Sequence, residues 1–456
     1  MEGRLSEIPT DSASATTTWV ADAAWLGGPG LVRDVQIRIR EGRFASLSTD
    51  EAPPGTNRLR GVVLPGLVNA HSHAFHRLLR GRTHRQGGDF WLWRERMYQV
   101  AGSLTPEGYE RLATAVYVEM AMAGITTVGE FHYLHHQIGG VPYEDPNEMG
   151  HALVRAARSA GIRIGLLDTG YFTSGFDDRP LTQVQTRFRD GSPGEWLDRA
   201  EEIHTAYTGA PDVVIGLAPH SVRAVPEAGL IELAKRRDAS TPTHVHVSEQ
   251  PAENRECLDA TTLTPTGLLR RVGLLGASTT LVHGTHLSTG DIESIGASGA
   301  MVCYCATTER DLADGIGPAS ELDQAGASIC VGSDSHAVID LFEEMRGVEL
   351  HTRLATGTRG VFAPDALVTA ATTHGARSLG FPDAGLQAGA PADFIVVSTD
   401  SPRLVGMDFD TTLDTIVFAA TAADVSDVFV AGDRVVESRR HPRWDSAKEG
   451  LIDPGR

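Results

Sequence analysis

The chain has 456 residues, of which 41% are apolar and 22% charged, as is ordinary for a soluble globular protein. Its formal net charge of −19 argues against a nucleic-acid partner, because such binding requires basic surface that displaces counterions. No apolar run is long enough to cross a bilayer and the N-terminus lacks a secretory signal. We therefore expect a cytoplasmic enzyme without a membrane partner.

Both ends of the chain are rich in predicted strands. Residues 1–15 are small and polar, which predicts a disordered N-terminus. Residues 16–63 then contain the alternating run "VQIRIR". Residues 386–456 contain "TIVFAA", which we also interpret as strand, and "VSDVFVAGDRVVESR", in which "AGDR" indicates a hairpin turn. We predict that residues 16–63 and 386–456 pair into one small β-sandwich domain.

Residues 64–385 alternate short apolar runs with stretches long enough for a helix. The runs include "AGITTVGEFHY", "GIRIGLLDTGYF", "TPTHVHVSEQ" and "ASICVGSDSH", each bounded by Gly or Pro. This rhythm predicts an α/β fold, a (β/α)8 TIM barrel that forms the catalytic domain. A doubly wound open sheet is the weaker alternative, because no G-x-G-x-x-G follows the first strand.

Polar side chains follow these apolar runs, at the strand ends where such barrels build active sites. The two histidines of "HSH", His71 and His73, can face one metal because side chains two apart on a strand point the same way. Further ligands could come from His244 or His246, from His283 or His286, and from Asp334 or His336. Three imidazoles and one carboxylate suit zinc or iron(II) with a position left open for water.

Cysteine and lysine usage limits the kind of metal site. The four cysteines form no C-x-x-C pair, and Cys303 and Cys305 are expected to pack as buried apolar residues. The only lysines are Lys235 and Lys448, and the segment "IELAKRRD" around Lys235 predicts a solvated helix.

The pattern of an H-x-H after strand 1, histidines after strands 5 and 6 and an aspartate after strand 8 resembles the amidohydrolase superfamily. Over residues 16–435, "HSHAFHRLLRG", "FWLWRERMY", "GEFHYLHH", "GLAPHSVRAV" and "TTERDLADG" resemble the formimidoylglutamate deiminase family within it. The resemblance implies one divalent metal, Zn²⁺ with Fe²⁺ as the alternative, held by His71, His73, His246 and Asp334. Binuclear members carry a carboxylated lysine on strand 4, and since no lysine precedes Lys235, we expect a mononuclear site.

The resemblance also implies a reaction. The substrate would be N-formimidoyl-L-glutamate, a small dianion that is hydrolysed to N-formyl-L-glutamate and ammonia in histidine degradation. Asp334 would ligate the metal and accept a hydrogen bond from the attacking water. Glu249 would carry a proton from that water to the departing nitrogen, and His283 would polarise the attacked centre.

Carboxylate groups of a substrate are gripped best by arginine. The resemblance implies that Arg223 and Arg94 are these clamps and that Tyr133 and His220 also line the substrate pocket. His76 stands where the family pattern has glutamine, and we expect it to contact substrate. His84 has no such support, nor do the nearby Arg80, Arg82 and Arg85, and all four are expected on a solvated loop.

Two other functions remain open. A deaminase of a purine, pyrimidine or triazine ring would share the metal site but favour aromatic or amide recognition over an arginine pair. A non-catalytic scaffold would have lost ligands, whereas the whole set is present here. Whichever substrate the enzyme takes, a homodimer is the expected assembly, since closed symmetric dimers are the commonest oligomers.

Overall fold

The computed structural model describes residues 16–28, 30–83, 90–176 and 179–452, apart from the side chains of Phe90, Trp91, Leu92 and Arg94. The strands are Thr17–Ala24 (β1), Val32–Arg40 (β2), Arg43–Ser48 (β3), Asn57–Pro65 (β4), Leu67–Ser72 (β5), Ile125–His132 (β6), Arg163–Gly170 (β7), Val213–Pro219 (β8), Thr243–Val247 (β9), Thr279–His283 (β10), Met301–Tyr304 (β11), Ser328–Val331 (β12), Phe394–Val397 (β13), Val425–Val430 (β14) and Asp433–Val436 (β15). The α-helices are Phe90–Ala101 (α1), Pro106–Met122 (α2), Glu148–Ala160 (α3), Pro193–Tyr207 (α4), Glu227–Arg236 (α5), Pro251–Thr261 (α6), Pro265–Arg271 (α7), Thr289–Ser298 (α8), Ala306–Asp311 (α9), Ala319–Gln324 (α10), Leu341–Thr356 (α11), Pro364–Thr369 (α12), Gly375–Ser378 (α13), Thr412–Ala419 (α14), Trp444–Ala447 (α15) and Glu449–Ile452 (α16). The predicted disorder of residues 1–15 concerns a segment outside the described residues.

Strands β5 to β12 form the predicted barrel. They pair in parallel and in sequential order, and helices lie in the connections between them. The barrel closes between its last and first strands, where the backbone N–H of Asp334 donates to the carbonyl of His71 at 3.0 Å. The N–H of His73 donates back to the carbonyl of Asp334 at 3.2 Å. The (β/α)8 fold is confirmed, and its closing hydrogen bonds involve three of the predicted metal ligands.

The opposite end of the barrel is filled by the chain that follows α12. A π-helical turn, Ala370–His374, joins α12 to α13. Leu379, just after α13, packs against Gly129 and Gly165 so closely that a Cβ at either glycine would meet its side chain. With this end closed by packed side chains, the polar residues at the carboxyl ends of the strands are left to form the site.

The remaining seven strands form one sheet in the order β15-β14-β13-β4-β1-β2-β3, built from both ends of the chain as predicted. Trp19 of β1 and Phe429 of β14 are in ring contact at 5.4 Å although β13 and β4 lie between their strands, so the sheet folds over itself. It encloses an apolar core of its own, separate from the barrel core. The predicted domain boundaries remain a prediction; in the structure β4 runs on to Pro65 and β13 begins at Phe394.

Two local predictions in this region had different outcomes. Ala431 and Gly432 both have positive φ, 48° and 80°, and join β14 to β15 in the hairpin indicated by "AGDR". The interpretation of "TIVFAA" as strand was wrong, because this segment lies in α14. The buried residues Leu413, Ile416 and Val417 are spaced three and four apart, which is the period of a helix that packs one face on the core.

Within the described residues, every helix is too short or too polar to span a bilayer.

Candidate active site

The four predicted metal ligands converge at the carboxyl ends of β5 and β9 and in the turn after β12. Their ligand atoms all lie within 4.8 Å of one another. Nε2 of His71 and Nε2 of His73 lie 3.4 and 3.3 Å from Oδ1 of Asp334. Nε2 of His246 lies 3.1 Å from Nε2 of His71. Metal–ligand bonds of about 2.0–2.2 Å in a tetrahedron place ligand atoms about 3.3–3.6 Å apart, so the cluster has the size of a zinc-type site.

Backbone carbonyls fix the tautomer of two of these histidines. Nδ1 of His73 donates to the carbonyl of Phe131 at 3.0 Å, and Nδ1 of His246 donates to the carbonyl of His220 at 2.9 Å. A carbonyl only accepts hydrogen bonds, so each Nδ1 carries a hydrogen, and in the neutral imidazole each Nε2 presents a lone pair to the shared centre. Buried lone pairs that face one another and a carboxylate require a cation. The residues therefore fit a divalent metal.

Unusual backbone geometry accompanies the site. Asp334 and His283 have φ angles of +43° and +70°, in the left-handed region that non-glycine residues seldom adopt. Ser248, between His246 and Glu249, has a φ of +53°. Such conformations persist where the surrounding structure holds them, and they cluster at functional sites.

A buried hydrogen-bond network fixes the residues around His71, on β5, and His73, which follows the strand directly. Ser72 donates through Oγ to Oε2 of Glu130 at 2.8 Å, and the N–H of Ala74 donates to Oε1 of the same carboxylate at 2.7 Å. The imidazole of His336 contacts Ser72 Oγ at 3.1 Å. Burial raises the pKa of Glu130 to about 7, against the hydrogen bond from Ala74, which lowers it. Glu130 and His336 therefore position the backbone that carries His71 and His73.

Glu249 and His283 lie beside the ligand cluster. Nε2 of His283 is 3.9 Å from Oε1 of Glu249, and its Nδ1 is 3.5 Å from Oε1 of Glu309. Burial alone would lower the pKa of the His283 imidazole, but these two carboxylates and Asp334 raise it to about 10. Burial also raises the pKa of Glu249 above its ordinary value, whereas the nearby His283 acts in the opposite direction. The arrangement provides one proton donor and one carboxylate that can exchange protons.

One pocket joins the ligand cluster to the predicted substrate residues. It is lined by His76, Tyr133, His220 and Arg223 together with His73, His246, Glu249, His283 and Asp334. Aromatic and apolar side chains complete its described wall: Trp93, Met97, Tyr98, Tyr171, Phe188 and Leu312. The side chain of Arg94 lies outside the described residues, although its helix α1 contributes Trp93, Met97 and Tyr98 to the pocket.

Arg223 is the one arginine among the described pocket residues. Burial lowers the pKa of its guanidinium, but the hydroxyl of Tyr171 and the carboxylate of Glu253 raise it above the ordinary value. It forms no ion pair with a carboxylate in the described part of the chain. Elsewhere in the pocket, Nε2 of His76 is 2.8 Å from the hydroxyl of Tyr133, while its buried Nδ1 has no partner among the described atoms. The guanidinium of Arg223 and Nδ1 of His76 are therefore available to form polar contacts with a ligand.

A family model for the amidohydrolase family matches residues 62–435. The chain belongs to the amidohydrolase family. This amidohydrolase is 35% identical over 434 residues to formimidoylglutamate deiminase of Pseudomonas aeruginosa, covering 93% of this chain and 95% of the relative. It is 29% identical over 438 residues to 5-methylthioadenosine/S-adenosylhomocysteine deaminase of Halobacterium salinarum, covering 94% of this chain and 95% of that relative. The crystal structure of an amidohydrolase from Brucella melitensis matches with a TM-score of 0.90 and 35% identity, covering 96% of this chain and 98% of that one. The protein is a deaminase-type hydrolase of C–N bonds.

The structure adds carboxylates to which the sequence analysis gave no role. Glu309 lies against His283, and Asp314 accepts a hydrogen bond from Gln250, next to Glu249. Both lie in "TTERDLADG", a segment that carried the family resemblance but no assigned chemistry. The signal was therefore present in the amidohydrolase sequence, but only the fold shows which strand end these carboxylates approach.

The other polar residues singled out in the sequence have structural partners. His244 contacts the carbonyl of Ser378 at 2.9 Å, in the helix that fills the opposite end of the barrel. His286 contacts the carbonyl of Asp314 at 2.8 Å. The expectation that Arg80 is solvated was wrong, because its guanidinium is half-buried between Glu119 and the His336 carbonyl.

Two other predictions placed basic residues in solvent: Arg82, His84 and Arg85 on a loop, and Lys235 on a helix. Arg82 is exposed as expected, whereas His84 and Arg85 lie outside the described residues. Lys235 is exposed on α5, away from strand β8, as the predicted solvated helix requires. No lysine of the sequence falls on β8, the fourth strand of the amidohydrolase barrel.

Proposed function

We propose that this amidohydrolase hydrolyses N-formimidoyl-L-glutamate to N-formyl-L-glutamate and ammonia. The observation that carries the proposal is Arg223, a cation that forms no ion pair with a carboxylate of the described residues and lies in the same pocket as Glu249 and the ligand cluster. A guanidinium in that position suits a carboxylate of the substrate. The identity of 35% to the formimidoylglutamate deiminase of P. aeruginosa supports this choice.

In the proposed reaction, the oxygen of water adds to the formimidoyl carbon and the C–N bond to the terminal nitrogen breaks. A divalent metal, which we propose is Zn²⁺ with Fe²⁺ as the alternative, supplies Lewis acidity and lowers the pKa of water. Glu249 takes a proton from the attacking water and passes it to the nitrogen that leaves as ammonia. His283, kept protonated by Glu249 and Glu309, would polarise or orient the formimidoyl group that is attacked. Asp334 accepts a hydrogen bond from the water and orients it.

The rest of the pocket would hold the glutamate portion of the substrate. Arg223 and Arg94 are proposed as the two carboxylate clamps. His76, its ring tied to the Tyr133 hydroxyl, would contact the substrate through its free Nδ1. His220 would line the same wall, with its backbone carbonyl already engaged by His246.

The first prediction tests the clamp. Replacement of Arg223 by methionine should raise KM for N-formimidoyl-L-glutamate about tenfold to a hundredfold, because a hydrogen bond to a charged group contributes about 1.5–3 kcal/mol. Steady-state ammonia release would measure this. The matched control is Arg255→Met, at an exposed position on α6, which should leave KM unchanged. An Arg223→Met enzyme with the KM of the parent would contradict the assignment.

The second prediction concerns Glu309. Its replacement by glutamine should lower kcat about tenfold to a hundredfold with little change in KM, because the carboxylate behind a functional imidazole fixes its orientation and charge. Metal content per chain should stay the same. Glu321→Gln, at an exposed position on α10, is the control. A variant whose loss appears in KM or in bound metal would assign Glu309 a different role.

A second candidate function is deamination of a purine or related ring. The aromatic side chains of the pocket wall favour it, as does the 29% identity to the 5-methylthioadenosine/S-adenosylhomocysteine deaminase of H. salinarum. Ammonia release from N-formimidoyl-L-glutamate, guanine and S-adenosylhomocysteine, assayed side by side, separates the two. Preference for either ring substrate would replace the first proposal.

We also propose that the enzyme is a homodimer and that its ligand is a small dianion. Light scattering on the purified protein tests the first of these statements. Direct binding of glutarate, which carries two carboxylates without a formimidoyl group, tests the second and requires no turnover.

A further inference from the structure

Three of the four cysteines lie together inside the barrel. Cys303 of β11 and Cys330 of β12 are paired across neighbouring strands, and Cys305 follows β11 directly. All three are buried, none is in a disulfide, and they form a small core cluster with Ala70 and Val282. The sequence predicts buried apolar packing for Cys303 and Cys305, and the structure shows it for both and for Cys330. Cys305 has a further set of neighbours.

The thiol of Cys305 lies beside two polar groups of the active site. One ligand atom each from Cys305, His283 and Asp334 falls within 4.8 Å of the others, and all three residues are buried. In a tetrahedral site with a zinc–sulfur bond of about 2.3 Å, ligand atoms are about 3.3–3.6 Å apart, so side-chain shifts of about 1 Å would close this set on an ion. His283 and Asp334 line the pocket, which provides the path of entry.

The surroundings of this set favour a cation. Carboxylate oxygens of Glu249 and Glu309 lie 3.9 and 3.5 Å from the ring nitrogens of His283. Nδ1 of this buried imidazole has no hydrogen-bond partner among the described atoms. Soft thiolate ligands select thiophilic metals over hard ones such as Mg²⁺.

We propose that His283, Cys305 and Asp334 form a second, inhibitory site for a thiophilic divalent cation such as Cd²⁺ or excess Zn²⁺. Binding converts the Cys305 thiol to a thiolate, whose proton leaves as the ion enters, and a ring nitrogen of His283 becomes a second ligand. With three protein ligands, the fourth coordination position of the ion would be taken by solvent. It inhibits because it occupies His283 and shares Asp334 with the catalytic metal site.

The experiment uses purified protein loaded with one Zn²⁺ per chain and titrated with Cd²⁺, without substrate. The expected result is a second bound ion per chain, accompanied by thiolate-to-cadmium charge-transfer absorption. The catalytic cluster contains no sulfur, so exchange of Cd²⁺ for Zn²⁺ there cannot produce this band. In a parallel assay, Cd²⁺ should inhibit turnover of whichever substrate the enzyme accepts.

Variants separate Cys305 from the other thiols. Cys305→Ser and Cys305→Ala should lose the band and raise the Cd²⁺ concentration for half-inhibition at least about tenfold, since even lost outer partners weaken metal sites by that factor. Cys257→Ser, which changes a buried cysteine on α6, should keep both properties. Retention of one Zn²⁺ per chain shows that each variant is folded.

Absence of the band in the parent protein, or its persistence in both Cys305 variants, would overturn the proposal. Binding and absorption are measured without substrate. A wrong substrate assignment would therefore leave them unaffected, and the two failures can be told apart.

Discussion

Replacement of Glu249 by glutamine should lower kcat for ammonia release about 10²–10⁴-fold, the usual contribution of a positioned acid–base group. Glutamine keeps the size of the side chain but cannot take a proton from water or deliver one to the leaving nitrogen. The carboxylate lies at the pocket surface, 3.9 Å from His283 and outside the set of four metal ligands. The variant should therefore bind one metal ion per chain, and its KM should change much less than its kcat.

Two measurements check this result. Elemental analysis of the purified variant gives the metal content, and steady-state kinetics gives kcat and KM separately. Glu256→Gln changes an exposed carboxylate on the same helix that follows Glu249, and it should behave as the parent. Turnover by Glu249→Gln within tenfold of the parent would remove Glu249 from the proton-transfer role.

The convergence of the metal ligands could be predicted because it follows from strand periodicity and barrel topology. His71 and His73 are two apart at the end of an apolar run, and His246 and Asp334 follow later runs of the same kind. Parallel strands of a barrel bring their carboxyl ends to one rim, so residues distant in sequence meet there. No contact had to be known in advance for this part of the site.

The partners of those residues could not be predicted in the same way. Glu309 lies behind His283 and His336 contacts Ser72 because of how individual side chains pack, which spacing along the chain does not encode. Arg80 was expected in solvent because arginine is usually exposed, whereas here it joins two elements through Glu119.

Short apolar segments were the other source of error. "TIVFAA" contains too few residues to separate a strand from a buried helix by periodicity. When the segment is extended back to Leu413, this residue lies three and four positions before Ile416 and Val417, which is the spacing of a helix. The fold class was unaffected, because the βα rhythm of the barrel rests on eight such runs together.

Replacement of Asp334 by asparagine should remove the metal and lower activity at least about 10³-fold, since metal assistance supplies several kcal/mol of transition-state stabilisation. Asp334 is the one anionic side chain in the cluster of four ligands. Asparagine retains its shape and also tolerates the left-handed backbone at this position, where φ is +43°. The hydrogen bonds that close the barrel here use only the backbone of residue 334, so the fold should survive.

Metal content, thermal unfolding and ammonia release of Asp334→Asn would be measured beside Asp323→Asn, which changes an exposed carboxylate on α10 and should match the parent in all three. The parent stripped of metal by a chelator should resemble Asp334→Asn in activity. Added Zn²⁺ should restore the stripped parent but not the variant, because only the parent regains the charge that offsets the ion. An Asp334→Asn protein that binds one metal ion tightly and turns over normally would show that the three histidines suffice. The carboxylate would then act in orienting water rather than in holding the metal.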